Sequence, residues 1–172
     1  MTITTAQPVG LLAVAEELGP VLRRYARSLI HDAEAARDVV QDVVLRCAQR
    51  NGTPVNNAKA FLFTAVRRRC VDVLRKESRM HVLTDERAEG LRTDATPAGI
   101  AEARESGIAA LAALETLPPA QREVLRLKFA ADLSYAEIAD VTGKTANNVG
   151  VLIHTGLKNL RQKLNAIGVD HA

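Results

Sequence analysis

One stretch near the C-terminal end constrains the fold more than any other, residues 134–149, SYAEIADVTGKTANNV. Ile138 and Val141 give its first half an apolar side at helical spacing. Gly143 follows where a left-handed residue would end a helix, because glycine adopts positive φ without steric cost. Thr145 stands at the position of an N-cap, where its hydroxyl can accept a backbone N–H of the next turn. The stretch predicts two short helices joined by a tight turn.

Apolar residues continue at helical spacing beyond this turn, at Val149, Ile153, Gly156, Leu160 and Leu164. Three residues have the spacing that a helix-turn-helix unit requires. Small Ala139 allows the two helices to approach closely, the glycine at the turn allows a sharp change of direction, and branched Val149 fills the core between the helices. The second helix of such a unit enters the major groove of DNA. The C-terminal part of the chain therefore predicts a DNA-binding helix.

The composition favours an all-α protein. Helix-forming Ala, Leu, Arg and Glu dominate the 172 residues, period-two alternation is scarce, and an apolar content of 47% is sufficient for real cores. The formal net charge is only +3, but a pI of about 9.1 leaves nucleic acid as a partner if the basic residues cluster.

Several classes of protein are disfavoured by the same composition. The longest apolar run, Ile108 to Leu114, is far too short for a membrane span, and no basic residue precedes the short apolar run near the N-terminus, so neither membrane insertion nor a signal peptide is expected. Cys47 and Cys70 are the only cysteines, and no Cys/His cluster has metal-ligand spacing. We expect a reduced cytoplasmic protein whose thiols pack as small apolar side chains, with no metal and no cofactor.

A helix predicted from about residue 33 to residue 49 carries an acidic stripe on one face. Its members are three or four positions apart and are therefore neighbours on the helix surface: Asp38, Gln41, Asp42 and Leu45. Two carboxylates and an amide beside a leucine form an acidic contact surface. The alternative is an ordinary solvated face, which Arg37 and Arg46 would partly neutralise.

The next helix, predicted from about Asn57 to Arg79, is strongly basic. Six basic residues stand against two acids in its second half: Arg67, Arg68, Arg69, Arg75, Lys76 and Arg79 against Asp72 and Glu77. A basic helix can be only a solvated surface, but this density in a chain with a helix-turn-helix also suits phosphate binding.

Residues 81–106 differ from both flanks, because acids outnumber bases and Gly90, Pro97 and Gly99 interrupt any apolar periodicity. This composition predicts a flexible acidic linker. It would join two small helical domains, residues 12–80 and residues 107–165.

Two separated stretches resemble one protein family. LPPAQREVLRLKF at 117–129, followed by LSYAEIA at 133–139, is similar to the C-terminal promoter-recognition domain of bacterial sigma-70 family factors. ARDVVQDVVLR at 36–46, with AFLFTAVRRRCVDVLRK at 60–76, resembles the other sigma domain. Their order and the short chain resemble the extracytoplasmic-function (ECF) group.

The resemblance implies an alternative sigma factor rather than an enzyme, one that binds core RNA polymerase and directs initiation at promoters through −10 and −35 elements. Residues 12–80 would be sigma domain 2 and residues 107–165 sigma domain 4. The acidic stripe would dock on the clamp helices of the β′ subunit, with the β subunit as a further contact. An anti-sigma factor is expected as a partner by resemblance alone. The residues implied in −10 DNA binding are Arg67, Arg68, Arg75 and Lys76.

The second helix of the helix-turn-helix departs from the family pattern, which usually carries several arginines. The residues expected to face a −35 element are Thr145, Asn147, Asn148, Val151, His154 and Lys158. So few charges predict weak, salt-tolerant phosphate anchoring. Asparagine can pair with adenine and Val151 could contact a thymine methyl. Arg37 and Arg68 also depart, since the family often carries Glu and Asn at these two positions.

Two other functions remain open on the sequence. A sigma-like decoy would bind an anti-sigma factor without recognising promoters, and the charge-poor helix motivates this alternative. The intact basic helix argues against it. An ordinary helix-turn-helix repressor would leave the acidic stripe without a role and would need a dimer interface, for which the sequence offers no candidate.

Overall fold

The computed structural model of the chain describes residues 10–49, 55, 57–83 and 101–166. These residues form eight α-helices and no strand, which confirms the all-α fold. The chain divides into two compact units, Met1–Arg87 and Ala88–Ala172. The N-terminal tail and residues 84–100 of the predicted linker lie outside the described residues.

The first unit contains helices α1 (Leu11–Glu17), α2 (Gly19–Ile30), α3 (Ala33–Gln49) and α4 (Ala58–Leu83). Its core is formed by one face of each helix, and its largest fully buried side chains are Tyr25, Phe63, Leu22, Leu62 and Val66. The rings of Tyr25 and Phe63 pack edge to face, with centroids 5.5 Å apart at an interplanar angle of 67°. This contact fixes α2 against α4.

The joint between α2 and α3 sets the direction of α3. His31 ends α2 in the left-handed conformation, with φ of 64°. Asp32 then caps α3, because its Oδ1 accepts the backbone N–H groups of Glu34 at 2.8 Å and Ala35 at 2.9 Å. Val39, Val40 and the other buried residues of α3 consequently face the core formed with α2 and α4, and the opposite face of α3 is left to solvent.

The second unit contains α5 (Ala101–Glu115), α6 (Pro119–Phe129), α7 (Tyr135–Thr142) and α8 (Ala146–Ala166). Both ends of the predicted linker, residues 81–106, lie in helices, because α4 extends to Leu83 and α5 begins at Ala101. The physical reason at the second boundary is that Ala101–Glu105 contains only alanine, glutamate and arginine, all strong helix formers.

Helices α6 and α8 approach closely at Gly156. A Cβ at this position would lie 3.1 Å from Leu125 Cδ1 and 3.3 Å from Gln121 Cβ, so even a methyl group would require these neighbours to move by a few tenths of an ångström. A short polar bridge accompanies the contact, since Gln121 Oε1 accepts a hydrogen bond from Asn159 Nδ2 at 2.9 Å. This close packing against α6 holds the buried side of α8 in place and so positions the exposed side of the same helix.

Candidate functional sites

The acidic stripe of α3 is a solvent-facing surface. Asp38 and Gln41 are exposed, and Leu45 is 55% exposed although it is a large apolar residue. The core residues Val39 and Val43 of the same helix are buried on the other side. An exposed leucine between polar groups is a feature of contact surfaces, and three of the four predicted residues are fully available for one.

Asp42, the fourth residue of the stripe, is only about one-third exposed because it contacts the basic helix α4. Its Oδ2 lies 2.9 Å from Nε of Arg69, and the two contacting atoms are buried. On its own helix Asp42 also pairs with Arg46, four residues further on, at 3.2 Å. The carboxylate therefore connects the acidic stripe to the basic helix, a contact that sequence reasoning missed.

Helix α4 presents a basic face to solvent. Among the four residues predicted to bind DNA there, Arg68, Arg75 and Lys76 are exposed, and Arg67 is half-buried. The helix turns its opposite side to the core through residues such as Phe63 and Val66. The structure thus brings three of the four predicted cations to one exposed region of α4 and commits a neighbouring one, Arg69, to Asp42.

Both cysteines lie in the core of the first unit. Cys47 and Cys70 are buried free thiols, as predicted, and burial raises the pKa of Cys70 to about 12. Within the described ranges, no group of His, Cys, Asp and Glu side chains could hold a metal ion. Neither thiol is placed for chemistry at the acidic stripe or at the basic face.

The turn of the helix-turn-helix forms as its sequence predicts. Gly143 ends α7 with φ of 68°, and the backbone N–H of Lys144 bonds to Ala139 O at 3.1 Å. The hydroxyl of Thr145 then accepts the N–H of Asn148 at 3.2 Å and caps α8. A hydrogen bond at each side of the turn fixes where α8 begins and therefore which residues it presents.

The start of α7 carries a capping box that sequence reasoning missed. Ser134 Oγ accepts the N–H of Glu137 at 3.3 Å, and the backbone N–H of Ser134 donates to Glu137 Oε2 at 2.7 Å. The Ser-x-x-Glu spacing at 134–137 is the recognised signal for this arrangement and could have found it. The box holds the first turn of α7, including the half-exposed Tyr135.

The predicted −35 residues lie together on the exposed side of α8 and at its cap. All six are exposed, and Val151 is 55% exposed: Thr145, Asn147, Asn148, Val151, His154 and Lys158. The buried side of the same helix is formed by Val149, Ile153 and Gly156. Sequence reasoning did not single out Tyr135, whose ring lies beside this face on α7.

Comparison with known proteins assigns the two units to one family. The family model "Sigma-70 region 2" matches residues 14–80, and the model "Sigma-70, region 4" matches residues 108–160. The ECF RNA polymerase sigma factor SigL of Mycobacterium tuberculosis is 30% identical over 167 residues, covering 95% of this chain and 94% of SigL. The chain belongs to the ECF sigma factors. It is accordingly an alternative sigma factor that directs promoter-specific initiation of transcription.

Two further proteins are similar to this sigma factor. The RNA polymerase sigma factor SigV of Bacillus subtilis is 28% identical over 143 residues, or 82% of each chain. A solved structure of the sigma factor RpoE in complex with the anti-sigma factor NepR from Bartonella quintana has a TM-score of 0.69 and 25% identity, covering 92% of this sigma factor and 96% of that chain. These relatives are sigma factors, and no comparison favours the decoy. Across the described part of the chain, no helix has the length and apolarity to cross a membrane.

Proposed function

We propose that this sigma factor has three binding surfaces, one for core RNA polymerase and two for promoter DNA. The acidic stripe of α3 (Asp38, Gln41, Asp42 and Leu45) binds core RNA polymerase at the β′ clamp helices. The basic face of α4 (Arg67, Arg68, Arg75 and Lys76) binds the −10 element and assists its opening. The exposed side of α8 binds the −35 element. Residues 12–80 act as sigma domain 2 and residues 107–165 as sigma domain 4, with the segment between them as a linker.

The observation that carries the proposal is the exposure of two oppositely charged surfaces on adjacent helices of one unit. A repressor has no need for the acidic surface, whereas a protein that connects polymerase to DNA needs both surfaces. The ion pair between Asp42 and Arg69, 2.9 Å apart, links the two helices directly. Electrostatic attraction to phosphates supports the role of Arg68, Arg75 and Lys76, which are exposed.

The proposal includes partners and a compartment. The β subunit is a second polymerase contact, and an anti-sigma factor covers the binding surfaces until the sigma factor is needed. What supports an anti-sigma partner is the similarity to RpoE, whose solved structure is a complex with NepR. We place the protein in the cytoplasm, where polymerase and promoter DNA are found, and assign it no catalytic step of its own.

The direct test is a charge reversal that spares the fold. Asp38 is exposed on α3, so Asp38→Lys should leave the first unit folded while placing a positive charge at the N-terminal end of the stripe. The matched control is Glu17→Lys, the same reversal at an exposed acid of α1. Affinity for sigma-free core polymerase is measured with the full chain carrying a fluorescent label.

Asp38→Lys should lower this affinity by at least about tenfold, the effect of losing roughly 1.4 kcal/mol of binding free energy, while Glu17→Lys stays near the parent value. Unchanged affinity of Asp38→Lys, with circular dichroism showing an intact fold, would contradict docking through α3. Asp42 is avoided in this test because its substitution would also disturb Arg69.

A further inference from the structure

An open groove of about 440 Å³ lies between the start of α7 and the first turns of α8. It is lined by the largely apolar Tyr135, Ala146, Gly150 and Val151 and by the polar Asn147, His154 and Thr155. Tyr135 is 44% exposed and Val151 is 55% exposed, so two large apolar surfaces face solvent at this point. The groove occupies the part of a helix-turn-helix that meets base edges in the major groove.

Gly150 keeps the groove open. A Cβ at this position would lie 3.5 Å from Cε2 and 3.7 Å from Cδ2 of Tyr135, so a methyl group there would be in ordinary van der Waals contact with the ring. A side chain larger than a methyl group at residue 150 would add further atoms to the part of the groove beside the ring. The absence of a side chain at Gly150, together with the capping box that holds the first turn of α7, therefore gives the groove its shape.

The residues that line the groove indicate which chemical group binds there. No Lys, Arg, Asp or Glu lines it, so the groove lacks the side-chain charges that dominate attraction to phosphates. In the major groove, the C5-methyl group of thymine is the apolar group that a base pair presents. Asn147 also lines the groove and carries the amide that suits adenine, so A·T pairs match both parts of the site.

We propose that a thymine methyl group of the −35 element occupies this groove, with Tyr135, Gly150 and Val151 as specificity-determining residues. This inference rests on the proposed function of α8 as the −35 reader and adds the base and the atoms that it recognises. It also assigns a residue of the first helix of the helix-turn-helix, Tyr135, to base recognition. Sequence specificity at this point then comes from shape and apolar contact, because no Lys, Arg, Asp or Glu lines the groove.

The test uses the full chain bound to core polymerase. Promoter fragments with a randomised −35 segment are selected for binding, and each thymine of the selected segment is then replaced singly by uracil, which removes only the methyl group. At one position the replacement should weaken binding about three- to fivefold, the effect expected for one buried methyl group. Val151→Ala and Tyr135→Ala should each remove most of that difference.

Two variants serve as matched controls. Tyr135→Phe keeps the ring and should retain the thymine preference. Leu157→Ala truncates another exposed apolar residue of α8, 38% exposed and outside the groove, and should also retain it. Gly150→Ala places a methyl group beside the ring without a clash and should weaken binding to thymine more than binding to uracil.

The outcomes separate this inference from the proposed function. A selected −35 sequence without thymine, or one in which no uracil replacement weakens binding, would overturn the methyl groove and leave −35 recognition by α8 standing. A thymine preference that survives both Val151→Ala and Tyr135→Ala would also overturn it. Selection that returns no −35 preference at all would overturn the inference and the −35 role together.

Discussion

The ion pair between Asp42 and Arg69 predicts that neutralising Asp42 destabilises the first unit, although this residue belongs to a surface stripe. Asp42→Asn keeps the shape of the side chain and removes its charge. The change leaves the guanidinium of Arg69, 2.9 Å from Asp42 Oδ2, without its partner on α3. It also removes the pairing with Arg46 within α3, at 3.2 Å.

The expected loss of free energy of unfolding follows from how far the paired side chains are exposed to solvent. The side chains of Asp42 and Arg69 are 34% and 41% exposed, so water screens their attraction and the range of about 0.2–1 kcal/mol for exposed pairs applies. We take the upper half, about 0.5–1 kcal/mol, because the two contacting atoms are buried, although their contact lacks hydrogen-bond geometry. The pairing with Arg46 adds about 0.3–0.5 kcal/mol, as for other pairs four residues apart on a helix. Asp42→Asn should therefore lower the free energy of unfolding by about 0.8–1.5 kcal/mol.

A double-mutant cycle in urea measures the interhelical part of this effect. The variants are Asp42→Asn, Arg69→Gln and the double substitution, and the transition followed is that of the first unit. We expect a coupling energy of about 0.5–1 kcal/mol between Asp42 and Arg69. The control is Asp38→Asn on the same helix, which should change stability by less than about 0.5 kcal/mol. A coupling below about 0.2 kcal/mol would refute the view that this pair joins α3 to α4.

The remaining predictions concern packing, ionisation and DNA binding. Gly150→Ala should stabilise the second unit by up to about 1 kcal/mol through helix propensity, whereas at Gly156 the same gain is opposed by overpacking of about 1–3 kcal/mol, so Gly156→Ala should be the less stable of the two variants; thermal unfolding with the opposite order would contradict the packing account. Burial raises the pKa of Cys70 from 9.0 to about 12, so the thiol loses its proton at a lower pH in the unfolded state, and the free energy of unfolding should fall as the pH rises between those values. Cys70→Ala should reduce the slope of the free energy of unfolding against pH in this range, by at most about 1.4 kcal/mol per pH unit. An unchanged slope would count against a buried protonated thiol. Arg75→Ala combined with Lys76→Ala should impair initiation more than binding to core polymerase, as run-off transcription and affinity measurements can establish; an equal loss of both would indicate misfolding instead.

Features set by neighbouring residues could be predicted from the sequence. The turn at Gly143 and the cap at Thr145 depend on local backbone rules, and both form as expected. The exposure of Asp38 and Gln41 follows from helical spacing once the apolar face of α3 is known. The same logic placed Cys70 in the core.

Features that depend on the setting of one helix against another could not be predicted in this way. The contact between Asp42 and Arg69 requires a particular rotation of α3 against α4, which the packing of the buried faces of these two helices decides. The place of Tyr135 beside α8 depends equally on how closely α7 approaches Gly150. Spacing within one helix contains no information on either arrangement.

The start of α5 at Ala101 was not predicted for a different reason. The acids and glycines of residues 81–106 favoured a linker as an average over the whole stretch. The short run Ala101–Glu105, however, consists of helix formers and continues into the apolar part of α5. The average composition of residues 81–106 therefore gave no sign of the start of α5, which the helix propensities of these five residues determine.

Promoter-specific initiation in vitro is the most direct test of the central claim, that adjacent acidic and basic helices connect polymerase to promoter DNA. The purified full chain is added to sigma-free core polymerase with fragments of genomic DNA, and the 5′ ends of the transcripts are mapped. The account predicts discrete start sites that require the chain and disappear with Asp38→Lys. Binding of the chain to polymerase without a discrete start site on any fragment would contradict it.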